Sequence, residues 1–164
     1  MPAAQPGQQF SAADPGAAES AAVRILGGAA QSAEDLRRRL VRRGFDAAAA
    51  EAAVERCREH GYVDDSALAA SIAGRHTRRG HGMARAAADL RRRGISRAVI
   101  DGSLLQMLGD EEATARNAAQ ALLERERKRG SLDERALRRV AAALQRRGFS
   151  TELVRKVLRT LPQD

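Results

Sequence analysis

The chain has 164 residues, a net charge of +8, one cysteine and an aromatic content of only 2%. Cys57 is the single cysteine, which excludes a disulfide within the chain. Apolar runs are too short to cross a bilayer, and the N-terminal stretch lacks the basic and apolar segments of a signal peptide. We therefore expect a soluble, cytoplasmic protein with no membrane association.

The basic excess favours a polyanion or an acidic partner surface. Nearly all of the basic residues are arginine, since Lys128 and Lys156 are the only lysines. A GC-rich coding bias would also explain the preference for arginine over lysine. It would not explain the positive sign of the net charge.

In chain order, residues 1–18 are rich in Ala, Gln, Gly, Pro and Ser, which predicts a disordered tail. A short first helix is expected from Glu19 to Leu26, with Gly27 and Gly28 stopping or fraying it. The next helices are predicted to start after residues whose side chains cap helices and to stop at glycines. The predicted caps are Ser32, Asp46, Asp64 or Asp65, Ser96 and Ser150, and Pro162 is expected to end the last helix.

One stretch occurs three times, at residues 40–46, 90–96 and 144–150. Each copy has a Leu, two arginines, a Gly four residues after the Leu, a bulky apolar residue and a capping residue. The glycines Gly44, Gly94 and Gly148 lie about fifty residues apart, and such a period indicates a repeat architecture.

The fold predicted from this period is all-α, with three tandem three-helix repeats and nine helices forming an elongated, curved row. The predicted repeats are residues 19–61, 62–109 and 110–164. In the second repeat, the helix after Ser96 is expected to bury Val99, Ile100, Leu104, Met107 and Leu108, all on its apolar face.

The repeated arginines have two explanations. With the Leu of each copy buried, helical geometry points Arg42, Arg92 and Arg146 to solvent and places the next arginine at the rim of the buried face. Cations near a helix C-terminus are favourable without any partner. Repeated along a row, they would also form a stripe able to follow phosphates or acidic side chains. The candidate binding set is Arg37, Arg38, Arg42, Arg43, Arg75, Arg78, Arg79, Arg85, Arg91, Arg92, Arg93, Arg146 and Arg147.

The sequence contains no motif that indicates an enzyme. His60, His76 and His81 lack metal-ligand spacing, and Asp64–Asp65 is typical of a helix cap rather than of a metal site. No phosphate-binding loop or nucleophile motif occurs. We predict no enzyme activity, no catalytic residue, no metal and no cofactor.

The chain resembles the RecX family, the regulators of the RecA recombinase. The resemblance rests on Gly-Tyr-Val-Asp-Asp at 61–65, then Gly-Met-Ala-Arg at 82–85 and Arg-Gly-Ile at 93–95. Ser-Ala-Glu-Asp-Leu at 32–36, Arg-Gly-Phe at 43–45 and Arg-Gly-Phe-Ser at 147–150 complete it. The chain departs from the family pattern at residues 27–31, where a helix end usually carries a basic residue, and at Leu68, where Phe is usual.

The resemblance implies a monomeric, non-enzymatic protein that binds along the RecA filament on single-stranded DNA. It further implies inhibition of the recombinase, ATPase and co-protease activities of RecA, and hence modulation of homologous recombination, the SOS response and DNA repair. The residues alone leave two alternatives: a helical-repeat protein that binds DNA directly and non-specifically, and an RNA-associated or scaffolding helical repeat. Under the resemblance, duplex DNA is expected to be bound only weakly, whereas direct DNA binding predicts tight binding.

Overall fold

The structure is a computed structural model that describes residues 11–130 and 132–161. Within these ranges the chain forms nine α-helices and no strand, which confirms the all-α prediction. The helices are α1 (Pro15–Gly28), α2 (Ala33–Arg42), α3 (Ala47–Glu59), α4 (Asp65–Arg78), α5 (Met83–Arg92), α6 (Arg97–Leu108), α7 (Glu111–Arg127), α8 (Glu134–Arg146) and α9 (Thr151–Thr160).

The helices divide between two compact units. The first unit comprises residues up to Leu68 and so contains α1 to α3, and the second begins at Ala69 within α4 and contains α5 to α9. The predicted elongated row describes how such units are arranged, and it stays a prediction, as do the three repeat ranges.

In the first unit, α1 packs closely on α3 through alanines. Ala18 and Ala22 of α1 and Ala50 and Ala53 of α3 are all fully buried. Cys57 lies in the same core, and its burial raises the pKa of its thiol. Cys57 is therefore a small core residue and not a reactive thiolate.

The start of α1 corrects the sequence prediction. The helix begins at Pro15 instead of Glu19, because Asp14 caps it by accepting hydrogen bonds from the amides of Gly16 (2.9 Å) and Ala17 (3.1 Å). Proline at the first helical position needs no amide partner, so it starts this helix instead of preventing it. The predicted disordered tail therefore extends too far, since residues 15–18 are helical. Residues 1–10 and Pro162 lie outside the described residues.

The predicted caps are confirmed at four helices. Ser32, Asp46, Ser96 and Ser150 each accept a hydrogen bond from the amide three residues further on. The two aspartates at the start of α4 have separate roles. Asp64 accepts from the amide of Ala67 (2.9 Å) and caps α4, whereas Asp65 accepts from the amide of Ala33 (3.0 Å) at the start of α2. Both carboxylates thus have backbone partners.

The three copies of the repeated stretch form the same helix-ending turn. In the first copy, Gly44 has φ +97°, its amide donates to the Val41 carbonyl (2.9 Å), and the Phe45 amide donates to the Leu40 carbonyl (3.3 Å). This is a Schellman motif, in which a left-handed glycine lets the last carbonyls of the helix find donors. The corresponding bonds recur at Gly94–Ile95 and Gly148–Phe149. The turn explains why each copy needs a glycine followed by a buried apolar residue.

The predicted apolar face of α6 is partly wrong. Ile100, Ser103 and Met107 are its buried residues, whereas Leu108 is 58% exposed. Ser103 can occupy the buried stripe because its hydroxyl donates to the Val99 carbonyl (2.9 Å). The stripe through Ile100 and Met107 then leaves Leu108 about 100° away from its centre.

An ion pair between Glu126 and the exposed Arg139 joins α7 to α8 in the second unit. The Glu126 carboxylate, with only 10% of its side chain exposed, accepts from Nε of Arg139 at 3.0 Å and from Nη1 of Arg129 at 3.2 Å. The hydrogen bond from Arg139 lowers the pKa of Glu126. This glutamate therefore stays ionised inside the packing of α7 against α8.

Candidate functional site

The three repeated arginine pairs differ in their exposure to solvent. The first arginine of each pair, at 42, 92 and 146, is exposed, as predicted. Of the second arginines, Arg93 and Arg147 are half-buried at the rim, but Arg43 is exposed. The rim prediction is therefore wrong for the first copy.

Two arginines of α2, Arg37 and Arg38, pair with acids of their own helix. Glu34 accepts from Nε of Arg37 (2.8 Å) and from Nε of Arg38 (2.7 Å). The hydrogen bond from Arg37 lowers the pKa of Glu34, and the same bond raises the pKa of Arg37. These spacings of three and four residues are those that stabilise an isolated helix. In the first unit, Arg37 and Arg38 of the candidate set are thus engaged by a carboxylate of their own helix.

In the second unit, several candidate arginines converge on one open groove of about 330 Å³. The groove lies beside the end of α4 and along α5. Its lining is made almost entirely of charged or titratable side chains: Arg75, His76, Arg79, His81, Arg85, Asp89, Arg92 and Arg93, with Ala88. Arg78 and Arg91 are exposed but do not line it.

A close backbone contact brings the third copy of the repeated stretch to this groove. The Gly82 amide donates to the Arg147 carbonyl (2.8 Å), and the Ala84 amide donates to the Gly148 carbonyl (3.3 Å). A Cβ atom at Gly82 would lie 2.4 Å from the Gly148 carbonyl oxygen, so only glycine fits there. Across this contact, Nη1 of Arg85 donates to the Arg146 carbonyl (3.3 Å). The turn after α8 is thereby fixed against the start of α5.

Two histidines connect α4 to the groove's single carboxylate. His76 Nδ1 lies 3.0 Å from His81 Nδ1, and His76 Nε2 lies 3.2 Å from Asp89 Oδ2. When both rings are neutral and His76 donates its Nε2–H to Asp89, His81 must donate its Nδ1–H to His76. Burial, followed by the positive charge of Arg85, lowers the pKa of His81. This lowered pKa favours the neutral form of the His81 ring.

Asp89 lines the groove but is not among the residues predicted from the sequence. Besides His76, it accepts from Nη2 of Arg92 (2.6 Å) and from Nε of Arg93 (3.3 Å). Burial alone would raise the pKa of Asp89, but the His76 hydrogen bond and the charges of Arg93 and Arg92 outweigh burial and lower it. Its spacing of three and four residues from the two arginines was the available signal.

The aromatic residues do not form a base-stacking platform in the described part of the chain. Phe45 and Phe149 are buried, as expected for residues that fill the core at the repeated turns. Tyr62 is 60% exposed, and its ring lies 5.9 Å from that of His60.

Among residues 11–130 and 132–161, no cluster of His, Cys, Asp and Glu could hold a metal ion. None of the helices formed by these residues is both long and apolar enough to cross a membrane.

The helices and the groove define a helical-repeat protein with a basic surface. Three family models match the chain in order: the first three-helix domain of RecX at residues 18–57, the second at 64–104 and the third at 110–158. The chain therefore belongs to the RecX family. This result also confirms three tandem three-helix repeats as the fold class.

Curated relatives agree with this assignment, and two solved structures share the fold. The chain is 34% identical over 151 residues to the regulatory protein RecX of Halorhodospira halophila, covering 90% of each chain. It is 37% identical to that of Trichlorobacter lovleyi, covering 84% of this chain and 90% of the relative. The crystal structure of RecX from Lactobacillus salivarius matches 88% of this chain and 94% of its own, with a TM-score of 0.78 at 14% identity. Another crystal structure of regulatory protein RecX matches with a TM-score of 0.76 at 22% identity, covering 88% of this chain and 71% of its own.

Proposed function

We propose that this protein binds the RecA filament on single-stranded DNA and inhibits the recombinase, ATPase and co-protease activities of RecA. In the cell, this inhibition would modulate homologous recombination, the SOS response and DNA repair. Membership of a family of regulatory proteins supports the regulatory role. The single observation that carries the mode of binding is the arginine-lined groove of the second unit, which suits phosphates or acidic side chains.

The protein acts by binding, without chemistry of its own. The candidate binding set divides into arginines that line the groove, arginines at the repeated turns, and the Arg37–Arg38 pair of α2. Of these, the groove arginines are the strongest candidates, because several of them face one space. We further propose that the protein is a cytoplasmic monomer built from repeats at 19–61, 62–109 and 110–164.

Electron microscopy of RecA filaments tests this function. RecA assembled on long single-stranded DNA with ATP should form shorter filaments when this protein is added during assembly. Filaments of unchanged length, together with failure of the protein to sediment with them, would contradict the proposal.

A second candidate function is direct, non-specific DNA binding in which RecA plays no part. The net charge of +8 and the groove favour it. It predicts tight binding to bare DNA that weakens steeply as salt increases, because binding releases counterions from the phosphates. Weak binding at physiological salt, measured by fluorescence anisotropy without RecA, would reject it.

A further inference from the structure

The basic groove contains its own anion. Both oxygens of the Asp89 carboxylate are engaged, Oδ1 by Arg92 and Arg93 and Oδ2 by His76. Asp89 is the only carboxylate among the groove's lining residues, and only 19% of its side chain is exposed. Two of the arginines that line the groove are therefore occupied by a group of the protein itself.

The other arginines of the groove have no such partner. Of the described residues, no carboxylate forms an ion pair with Arg75 or Arg79, and both side chains are exposed. Arg85 donates to the Arg146 carbonyl, a neutral acceptor that does not compensate its positive charge. The groove thus combines open guanidinium groups with a carboxylate placed where an anionic ligand would bind.

We propose that the groove binds the phosphodiester backbone of single-stranded DNA, and that Asp89 is a positioning residue that competes with the phosphate for Arg92 and Arg93. In the free protein, Asp89 holds these two side chains. On binding, a phosphate takes over their hydrogen bonds, while His76 retains Asp89 through Nε2. The choice of single-stranded DNA rests on the proposed function.

At Arg92, exchanging the Asp89 carboxylate for a phosphate costs little free energy. Its side chain is 78% exposed, and an exposed ion pair of this kind contributes little net stability. A guanidinium group can give a phosphate the same paired hydrogen bonds that it gives a carboxylate. The composition of the groove also favours a phosphate over an acidic protein segment. Ala88 is its only apolar lining residue, so it offers no pocket for the buried side chains that anchor protein partners.

Asp89→Asn tests the competition, with Asp101→Asn as the matched control. Both changes raise the net charge by the same amount. Asp101 lies on α6, is 62% exposed, pairs with Arg97 and does not line the groove. The probe is a fluorescent oligothymidylate, titrated by anisotropy without RecA over a series of salt concentrations.

Asp89→Asn should tighten binding by about three- to tenfold, since it removes one negative charge beside the bound phosphate. It should also make the salt dependence steeper by about one counterion, because freed arginines contact the strand. Asp101→Asn should change affinity by less than about twofold, because its charge is exposed and screened. Equal effects of the two variants, or weaker binding by Asp89→Asn with a normal circular dichroism spectrum, would overturn the role of Asp89.

The double variant Arg75→Gln/Arg79→Gln tests the groove independently of Asp89. It should weaken oligothymidylate binding by about five- to twentyfold and make the salt dependence shallower. Undiminished binding would overturn the groove as the site.

Competing anions identify the ligand. If polyglutamate bound as tightly as oligothymidylate and responded in the same way to Asp89→Asn, the ligand would be an acidic protein surface and not a DNA strand. Inorganic phosphate that displaced the strand at micromolar concentration would identify a free phosphate as the ligand. RecA is absent from these assays. A negative result in these assays would therefore not contradict filament shortening by the wild-type protein. Likewise, unchanged filament length would not contradict binding of the strand in the groove.

Discussion

At the scale of single residues, Gly82 and Gly148 matter because they let two backbones approach. The Gly82 amide and the Arg147 carbonyl are 2.8 Å apart, and a side chain at either glycine would meet backbone atoms of the other segment. This contact fixes the turn after α8 against the start of α5, and with it Arg85 against Arg146. The geometry of the groove thus depends on residues that carry no charge.

We expect Gly82→Ala to destabilise the protein by about 2–4 kcal/mol, because the new methyl group overlaps the Gly148 carbonyl. Gly102→Ala is the control. Gly102 lies in α6 with open space around it, so alanine should stabilise its helix by about 0.5–1 kcal/mol. Urea denaturation followed by circular dichroism measures both changes. Equal stability of the two variants would contradict the close contact.

For single residues, the sequence predicts local features well, but it does not predict which side chains from different helices come into contact. The solvent-facing positions of Arg42, Arg92 and Arg146 follow from helical periodicity and are confirmed. The hydrogen bond between His76 and Asp89 was not predictable in this way. It joins two helices, and no pattern along the chain specifies which residues meet across such a packing.

At the scale of helices, starts and stops are governed by local chemistry, which is why most of them were predictable. Ser32, Asp46, Ser96 and Ser150 cap their helices by bonds to amides three residues away, and such bonds depend only on nearby sequence. The predictions were wrong at the start of α1 and on the apolar face of α6. Asp14 and Pro15 start α1 in a stretch whose composition is typical of disorder, and Leu108 lies beside the buried stripe of α6.

The pairing of α7 with α8 should depend on pH through Glu126. Its pKa is lowered in the folded protein, chiefly by the hydrogen bond from Arg139. The resulting stability is therefore present above the ordinary pKa of glutamate and is lost as the pH falls through the lowered value.

Glu126→Gln should consequently be less stable than the wild type at neutral pH, and the difference should shrink as the solution is acidified. Thermal unfolding at a series of pH values measures this. Glu134→Gln is the control, since Glu134 also pairs with an arginine but is 80% exposed, and its effect should be small. If the difference in stability between Glu126→Gln and the wild type increased on acidification, the role assigned to Glu126 would be contradicted.

At the scale of the whole molecule, the arginines serve two purposes. Arg37 and Arg38 neutralise acids of their own helix, whereas the second unit gathers its arginines around a groove. The total of 29 basic residues therefore overstates the number of side chains available to a partner, because local ion pairs engage some of them. A stripe along all three repeats stays a prediction.

The triple variant Arg42→Ala/Arg92→Ala/Arg146→Ala tests that stripe. These exposed side chains should be dispensable for folding, so helix content should change little while binding to RecA filaments weakens several-fold, as measured by sedimentation. The matched control changes Arg24, Arg97 and Arg138 to alanine, which removes one exposed arginine from each repeat outside the repeated turns. Loss of helix content in the first triple variant alone would show that its arginines stabilise helix ends instead.

The central claim, that the protein restrains the RecA filament, is tested most directly by the rate of ATP hydrolysis by RecA on single-stranded DNA. RecA and DNA are held constant while the protein is titrated in. We predict that hydrolysis falls when the protein is still well below one copy per RecA subunit, because a protein that blocks filament extension acts on many subunits at once. A rate that stays unchanged even in stoichiometric excess would contradict the claim.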